Sequence, residues 1–520
     1  MIATESMPIL AYNRGEVLMP SGGVQHMQEI RAIARSLHPQ PSRRDILRSC
    51  AILAGAGAFV AATPKIARAT PHDAKVVIVG AGLAGLTCAY RLHRHGVRAQ
   101  VFEAHDDRVG GRCWTARSFA DGQLAEHGGE FVDTRHVHLR RLAAELGLRM
   151  DDRGKAGERG TGRLRLNGKP QDRAKVFKDL PQVIKRLAVD AKRIGDYRYN
   201  RASDAAREFD EMSALEWLKA NVDDPLLLEA LDVSQSGFFG LDTARMSAIN
   251  LIETFVKPPG DADERYHVHG GNDQVPRRLA DRLPDGSLHL GFPLHAVRQL
   301  GDGTYDLRFK DLHRTVRADV VVLCLPFTAL REVDLTEAGL SERKRQAIDE
   351  LGMGTNAKLL LQFRDRLSRH HNWSGSFSTD QPRSGGWDST AYQPGSGSVL
   401  TIFNGGHAGA SYPVERAHGR APEEVVRRAL RVLDRMVPGV SDAYNGRAWL
   451  DSWVDDPWVR GSYAGFLPGQ YTKFWHSLHM AEGALHFGGE HTSTHSQGYL
   501  NGGVESGERC AKEVIAALGK

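Results

Sequence analysis

Beyond residue 69 the sequence has no apolar run long enough to cross a bilayer as a helix, no repeat of fixed period and no low-complexity tract. No stable membrane span is therefore expected in the mature chain, and no solenoid. Cysteine is scarce: of five, Cys50 lies in the N-terminal segment, and Cys88, Cys113, Cys324 and Cys510 show neither C-x-x-C nor metal-ligand spacing. Cys88 and Cys324 sit in apolar stretches, where a buried free thiol is expected, so no disulfide framework is predicted. The 23 histidines include no helix-spaced pair for a metal. Net charge is also small. Residues 1–69 hold eight Lys or Arg and four Asp or Glu, so +4 of the chain's +5 lies there and +1 remains for the rest. That excludes an electrostatic case for nucleic acid.

What is present begins with an address. Ser42-Arg43-Arg44-Asp45-Ile46-Leu47-Arg48 precedes a short apolar run rich in small residues, which ends in Ala67-Arg68-Ala69. A positive n-region, a short h-region and an A-x-A-like end describe a cleavable export signal, too short for a stable membrane anchor. The paired arginines resemble a twin-arginine signal, read by machinery that exports folded proteins. A periplasmic or secreted location is expected, with a cofactor loaded before export. The 41 residues before Ser42 show no interpretable pattern.

After the leader comes KVVIVGAGLAGLTCAYRLHRHGVRAQVFEA. Val76 to Val79 suit a strand buried on both faces. Gly80, Gly82 and Gly85 then form G-x-G-x-x-G, with Ala81 and Ala84 between them. The glycines permit a tight turn, close approach to a pyrophosphate and close helix packing. The helix runs through Leu86, Ala89, Tyr90 and Leu92 to a stop at Gly96. A second strand, 98–102, ends at Glu103, placed to accept ribose hydroxyls of an adenine dinucleotide. Strand, glycines, helix, strand and acid in that order make a strong dinucleotide signal.

The continuation, Glu103-Ala104 through Arg108 to Gly110-Gly111-Arg112, resembles the E-A-x-x-R-x-G-G-R element of the flavin amine oxidase superfamily, which includes monoamine, L-amino acid and polyamine oxidases. His127 to Phe131, His269 to Pro276, Ala318 to Pro326 and His486 to Val514 resemble further motifs of that superfamily. The resemblance implies FAD. Its contacts would come from Gly80, Ala81, Gly82, Ala84, Gly85, Glu103, Ala104, Gly111, Arg112, Gly128, Gly129, Glu130, Phe131, Val297, Glu490, Gly498, Tyr499 and Leu500. Val297 matches a position whose backbone reads the adenine end. Ser462 stands where mammalian monoamine oxidases carry a flavin-linked cysteine, and a serine hydroxyl lacks thiolate chemistry, so non-covalent FAD is expected.

The expected fold class is α/β with an α+β substrate domain. Segments 74–135, 270–334 and 480–520 would build a Rossmann-like FAD domain, and 136–269 with 335–479 a mixed sheet-and-helix substrate domain over the flavin, after a signal-bearing extension of 1–69. Gly301-Asp302-Gly303 reads as a hairpin turn. Leu139, Leu142, Ala143 and Leu146, and again Leu215 with Leu218, carry helical spacing.

The resemblance also assigns the chemistry. Tyr463 and Tyr499 match the two walls of an aromatic cage, whose faces guide an amine and exclude water. Lys358, on an apolar strand-like run, matches a lysine that holds a water and assists reoxidation by O2. A charge there requires a partner, unless the side chain snorkels from a sheet edge. Trp387 and Trp458 are pocket candidates. Where snake-venom-type L-amino acid oxidases place a carboxylate-binding arginine this chain has Phe131. That favours a simple amine oxidised to an imine, then an aldehyde, with H2O2. The alternative is an L-amino acid oxidase giving a 2-oxo acid, with Arg135, Arg245 or Arg460 supplying the clamp. A desaturase or porphyrinogen-type oxidase on the same fold, and a non-catalytic flavin-binding partner, are further alternatives. Oligomeric state is left open, a homodimer included.

Overall fold

The computed structural model describes residues 74–155, 160–256, 263–310 and 315–519. The signal-like segment and Cys50 lie outside the described residues.

A five-stranded parallel sheet positions the cofactor end. Its strands, in spatial order, are Leu485–Phe487, Val320–Leu323, Val76–Val79, Ala99–Phe102 and Leu288–His289. The apolar runs Val76–Val79 and Val320–Leu323 are buried throughout, as a sheet covered on both faces requires. Strands from three distant parts of the chain thus meet in one sheet. The helices Leu83–Arg94 and Leu500–Ala517 cover it and pack on each other. Glycine makes their contact close: a Cβ on Gly507 would lie 2.3 Å from the Ala84 carbonyl oxygen.

Gly301-Asp302-Gly303 turns a hairpin between Leu294–Gln299 and Tyr305–Phe309, which pair antiparallel beside Val316–Ala318. The helical spacings give Val137–Glu145, burying Leu139, Leu142 and Ala143, and Ala214–Asn221, started by a Ser213/Glu216 capping box.

The second large layer is an eight-stranded mixed sheet drawn from 161–170 and 357–452. Its strand Ala357–Phe363 runs between Tyr444–Ser452 and Ser398–Asn404, and every residue of it is buried. Helices between 173 and 255 pack beside this sheet, and the candidate site opens where they meet it and the glycine-rich segments. Cys88, Cys113, Cys324 and Cys510 are buried free thiols. Among the described residues no helix is long and apolar enough to cross a membrane.

Candidate functional site

The first corner of the site forms at the end of Val76–Val79. Gly80 takes φ +99°, open to glycine at little cost. A Cβ on Gly85 would sit 1.9 Å from the Gly80 carbonyl oxygen, so only glycine lets the helix lie this close to the turn. Glu103 is buried, and its carboxylate accepts from Ala81 N at 2.7 Å and His105 N at 3.0 Å. Burial raises its pKa against the pull of those N–H groups and of Arg108. Ala104 is half-buried beside it. Gly82 starts the helix Leu83–Arg94 without a side-chain cap, and a Cβ built on it meets nothing within 4 Å. The first helix N–H groups thus have no side-chain acceptor, and the open space beside Gly82 suits a phosphate there. Gly111, whose Cβ would lie 3.7 Å from Gly82 Cα, flanks that space.

Val297 lies buried in the three-stranded sheet, and its N–H donates to Asp334 O at 3.0 Å. Gly291 and Phe292, whose N–H groups bind His105 O and Glu103 O, lie against the Glu103 corner.

Most of the remaining predicted residues converge on one cavity of about 540 Å³. Arg112, Gly128, Gly129, Glu130, Phe131, Lys358, Trp387, Tyr463, Gly498, Tyr499 and Leu500 all line it. The glycine pair is sterically required: a Cβ on Gly128 would fall 2.0 Å from Arg112 O, and one on Gly129 2.7 Å from Leu500 Cδ2. Arg112 donates to Ser462 O at 2.6 Å and Glu490 Oε1 at 2.9 Å. Glu490 also accepts from Ala464 N and Gly498 N. Its carboxylate thereby fixes Arg112 and the 498 turn.

Lys358 is not an edge lysine. It sits 3% exposed on an interior strand, where its Nζ donates to Glu130 Oε2 at 2.9 Å and Glu126 O at 3.0 Å. An ammonium has three donors, so one N–H remains for a water in the cavity. Trp387 Nε1 binds the other Glu130 oxygen at 3.0 Å. Burial works to raise the Glu130 carboxyl, but Lys358 and Trp387 outweigh it and hold it below its ordinary range. The pair is therefore buried and costly to break.

Tyr463 and Tyr499 are half-buried on the same cavity. The Tyr463 hydroxyl donates to Phe238 O, and its ring reaches within 3.7 Å of where a Gly498 Cβ would lie. Burial raises its phenol far above the ordinary value, with Tyr499 adding to the effect, so the Tyr463 ring presents a neutral face near neutral pH. Arg135 lies over the Tyr499 ring at 5.6 Å and donates to Asp133 at 3.1 Å.

Of the other arginines weighed for a carboxylate, Arg245 is exposed in a short 3-10 turn, and Arg460 pairs with Glu332 at 3.2 Å. Neither lines the cavity, and nor does Trp458. Sequence reasoning missed Arg383, which lines it paired to Asp232 and Glu229, and the acids Glu253 and Glu264. A lone acid inside the apolar run Ser247 to Val256 was the available signal for Glu253.

Behind the glycine pair runs a buried ionic chain. His127 Nδ1 lies 2.9 Å from Asp451, His418 bridges Asp451 at 2.8 Å and Asp456 at 3.0 Å, and Trp453 Nε1 donates to His127 O at 3.0 Å. Burial opposes charge on His418, yet the two aspartates carry its pKa up to about 9. Both aspartates are held below their ordinary range. Among the described residues no group of three or more His, Cys, Asp or Glu side chains is arranged to hold a metal ion.

Comparison with known proteins gives a consistent picture. Residues 83–515 match the family model described as flavin containing amine oxidoreductase. The chain is 27% identical over 478 residues to an L-amino-acid oxidase of Mus musculus, covering 86% of this chain and 71% of that protein. It is 26% identical over 474 residues to amine oxidase [flavin-containing] B of Sus scrofa, covering 86% of each. Its fold superposes on cyclohexylamine oxidase from Brevibacterium oxydans IH-35A with a TM-score of 0.75 at 23% identity, covering 86% of this chain and 100% of that one.

Proposed function

Because the chain belongs to the flavin-containing amine oxidoreductase family, we propose that it is an exported, FAD-dependent oxidase of simple primary or secondary amines. The observation that carries this reading is the meeting of Lys358, Tyr463, Tyr499 and the Gly128-Gly129 pair on one cavity. The residues fit the cofactor: a buried carboxylate corner at Glu103, a helix start at Gly82 without a side-chain cap, and a glycine cradle that any Cβ would fill. FAD supplies the two-electron acceptor, with O2 regenerating it and H2O2 as product. The chain's own residues hold the amine between two ring faces, exclude water and keep Lys358 beside the reacting region. Ser462 in place of a thiol supports non-covalent binding. The paired arginines at 43–44 support export of the loaded protein.

Each arginine on the cavity already has a carboxylate: Arg112 has Glu490, Arg135 has Asp133, and Arg383 has Asp232 and Glu229. Charge at the wall is therefore balanced or acidic, which suits a cation better than an amino acid carboxylate. Anaerobic mixing with a panel of amines and amino acids should bleach the flavin absorbance with amines. Failure across a broad panel removes the oxidase reading. Tyr499→Ala should lower kcat/KM by about 30-fold, equivalent to about 2 kcal/mol of lost ring-face interaction. Unchanged kinetics would remove the cage from the argument.

Arg135 favours a second reading, L-amino acid oxidation, because it alone of the three proposed clamps lines the cavity and lies over Tyr499. If that reading is right, Arg135→Ala should raise KM about 100-fold for amino acids, as expected when a charge-assisted pair worth about 3 kcal/mol is lost. Matched amines would be little affected.

A further inference from the structure

Tyr499 precedes the helix Leu500–Ala517 and follows Gly498 at φ +82°, so a short turn sets where its ring begins. The tilt of that ring is set from behind. The His136 ring stands 4.8 Å from the Tyr499 ring at an interplanar angle of 57°. Tyr499 lines the cavity, whereas His136 is 1% exposed and does not, so the imidazole backs the tyrosine from the side away from the substrate space. Asp133 in turn places His136. The Asp133 N–H donates to His136 Nδ1 at 2.9 Å, so Nδ1 carries no proton and the ring's N–H is on Nε2, 3.4 Å from Asp133 Oδ2. Wholly buried, Asp133 also accepts from Glu264 N at 2.8 Å and from Arg135 Nε at 3.1 Å. Arg135 lies over the same tyrosine ring. The helix Val137–Glu145, which begins at His136, reaches the backbone close after Tyr499, where Leu139 N donates to Asn501 Oδ1 at 2.9 Å.

Ring and backbone of Tyr499 are thus braced from one helix start. An aromatic face orients an amine only while its own tilt is fixed, and a packed neighbouring ring supplies that constraint through a direction-dependent attraction. On the amine-oxidase reading above, we propose that His136 is a positioning residue for the reaction, which backs the Tyr499 ring and so holds the cage in the orientation that aligns the amine. It acts through Tyr499 and does not itself reach the cavity. The alternative is that His136 serves only the 133–136 turn, through its bond to Asp133 N. The two roles need different atoms. The turn needs an acceptor, and the cage needs a flat ring.

Two substitutions separate them. His136→Asn keeps an acceptor for Asp133 N and removes the ring, whereas His136→Phe keeps a ring and removes the acceptor. Anaerobic bleaching of the holoenzyme by one reactive amine should give kcat/KM about 10-fold below wild type in His136→Asn and within about threefold of it in His136→Phe, the scale of a lost and a retained aromatic pair. The loss should fall mainly on kcat, because a mis-tilted ring still binds the amine but aligns it poorly. In a Tyr499→Ala background His136→Asn should add nothing, since the ring it serves is gone. Thermal melts and the oxidised flavin spectrum of each variant report folding. Wild-type kinetics in His136→Asn, a His136→Phe no better than His136→Asn, or a loss that adds in full to that of Tyr499→Ala overturns the proposal while leaving amine oxidation intact. Absence of bleaching by every amine of a broad panel overturns the amine reading itself, and this inference with it.

Discussion

Replacing Lys358 with Met should slow oxygen-dependent recovery of the bleached flavin by about 100-fold, the scale for removing one preorganised electrostatic donor. Bleaching by amine under anaerobic conditions should change far less. The same variant should lose about 3 to 5 kcal/mol of stability, because Glu130 is left as a buried charge without its partner. Lys358→Met combined with Glu130→Gln separates the two effects. With both charges gone, most of the stability should return in denaturant melts, yet reoxidation in stopped flow should stay slow. Rapid reoxidation in either variant would show that Lys358 is a structural half of an ion pair and nothing more.

The buried chain through His418 gives the second large effect, and its sign follows from linkage. The folded-state pKa, about 9, stands above the unfolded value, so the folded protein binds the proton more tightly. The contribution is complete below about pH 6.5, amounts to roughly 3 kcal/mol, and is lost as pH rises through 9. Asp451 and Asp456 act oppositely: their depressed values add stability above the unfolded carboxylate pKa, and it is lost as pH falls through the folded values. Wild-type Tm should therefore fall between pH 7 and 10. His418→Gln should start lower at pH 7 and show a flatter slope. Since Asp451 also holds His127, next to Gly128, flavin retention on ultrafiltration should weaken over the same alkaline range. A Tm profile parallel to the wild type would mean that His418 carries no charge in the folded protein.

Much of the cofactor end was legible because its requirements are local. Gly80, Gly82 and Gly85 are dictated by one turn and one helix start, and Val76–Val79 by a strand covered on both faces. Spacing alone carries such information. The motif position of Val297 did not reveal that Asp334 takes its N–H. Glu490 was legible as a site residue but not as the holder of Arg112, since that bond spans 378 residues. Glu253, Arg383 and the His127–Asp451–His418 chain left almost no trace, being single polar residues scattered among apolar or ordinary surface stretches.

By itself the sequence determined the glycine-rich turn, the strand and helix order around it, and the need for a partner at Lys358, because backbone freedom, periodicity and the cost of a buried charge are properties of short segments. Only the tertiary structure decided what that partner is and which acids face the cavity. Lys358 meets Glu130 across 228 residues and His127 meets Asp451 across 324. Pairing through space depends on how sheets and helices stack, and no local pattern encodes the distance between residues so far apart in the chain.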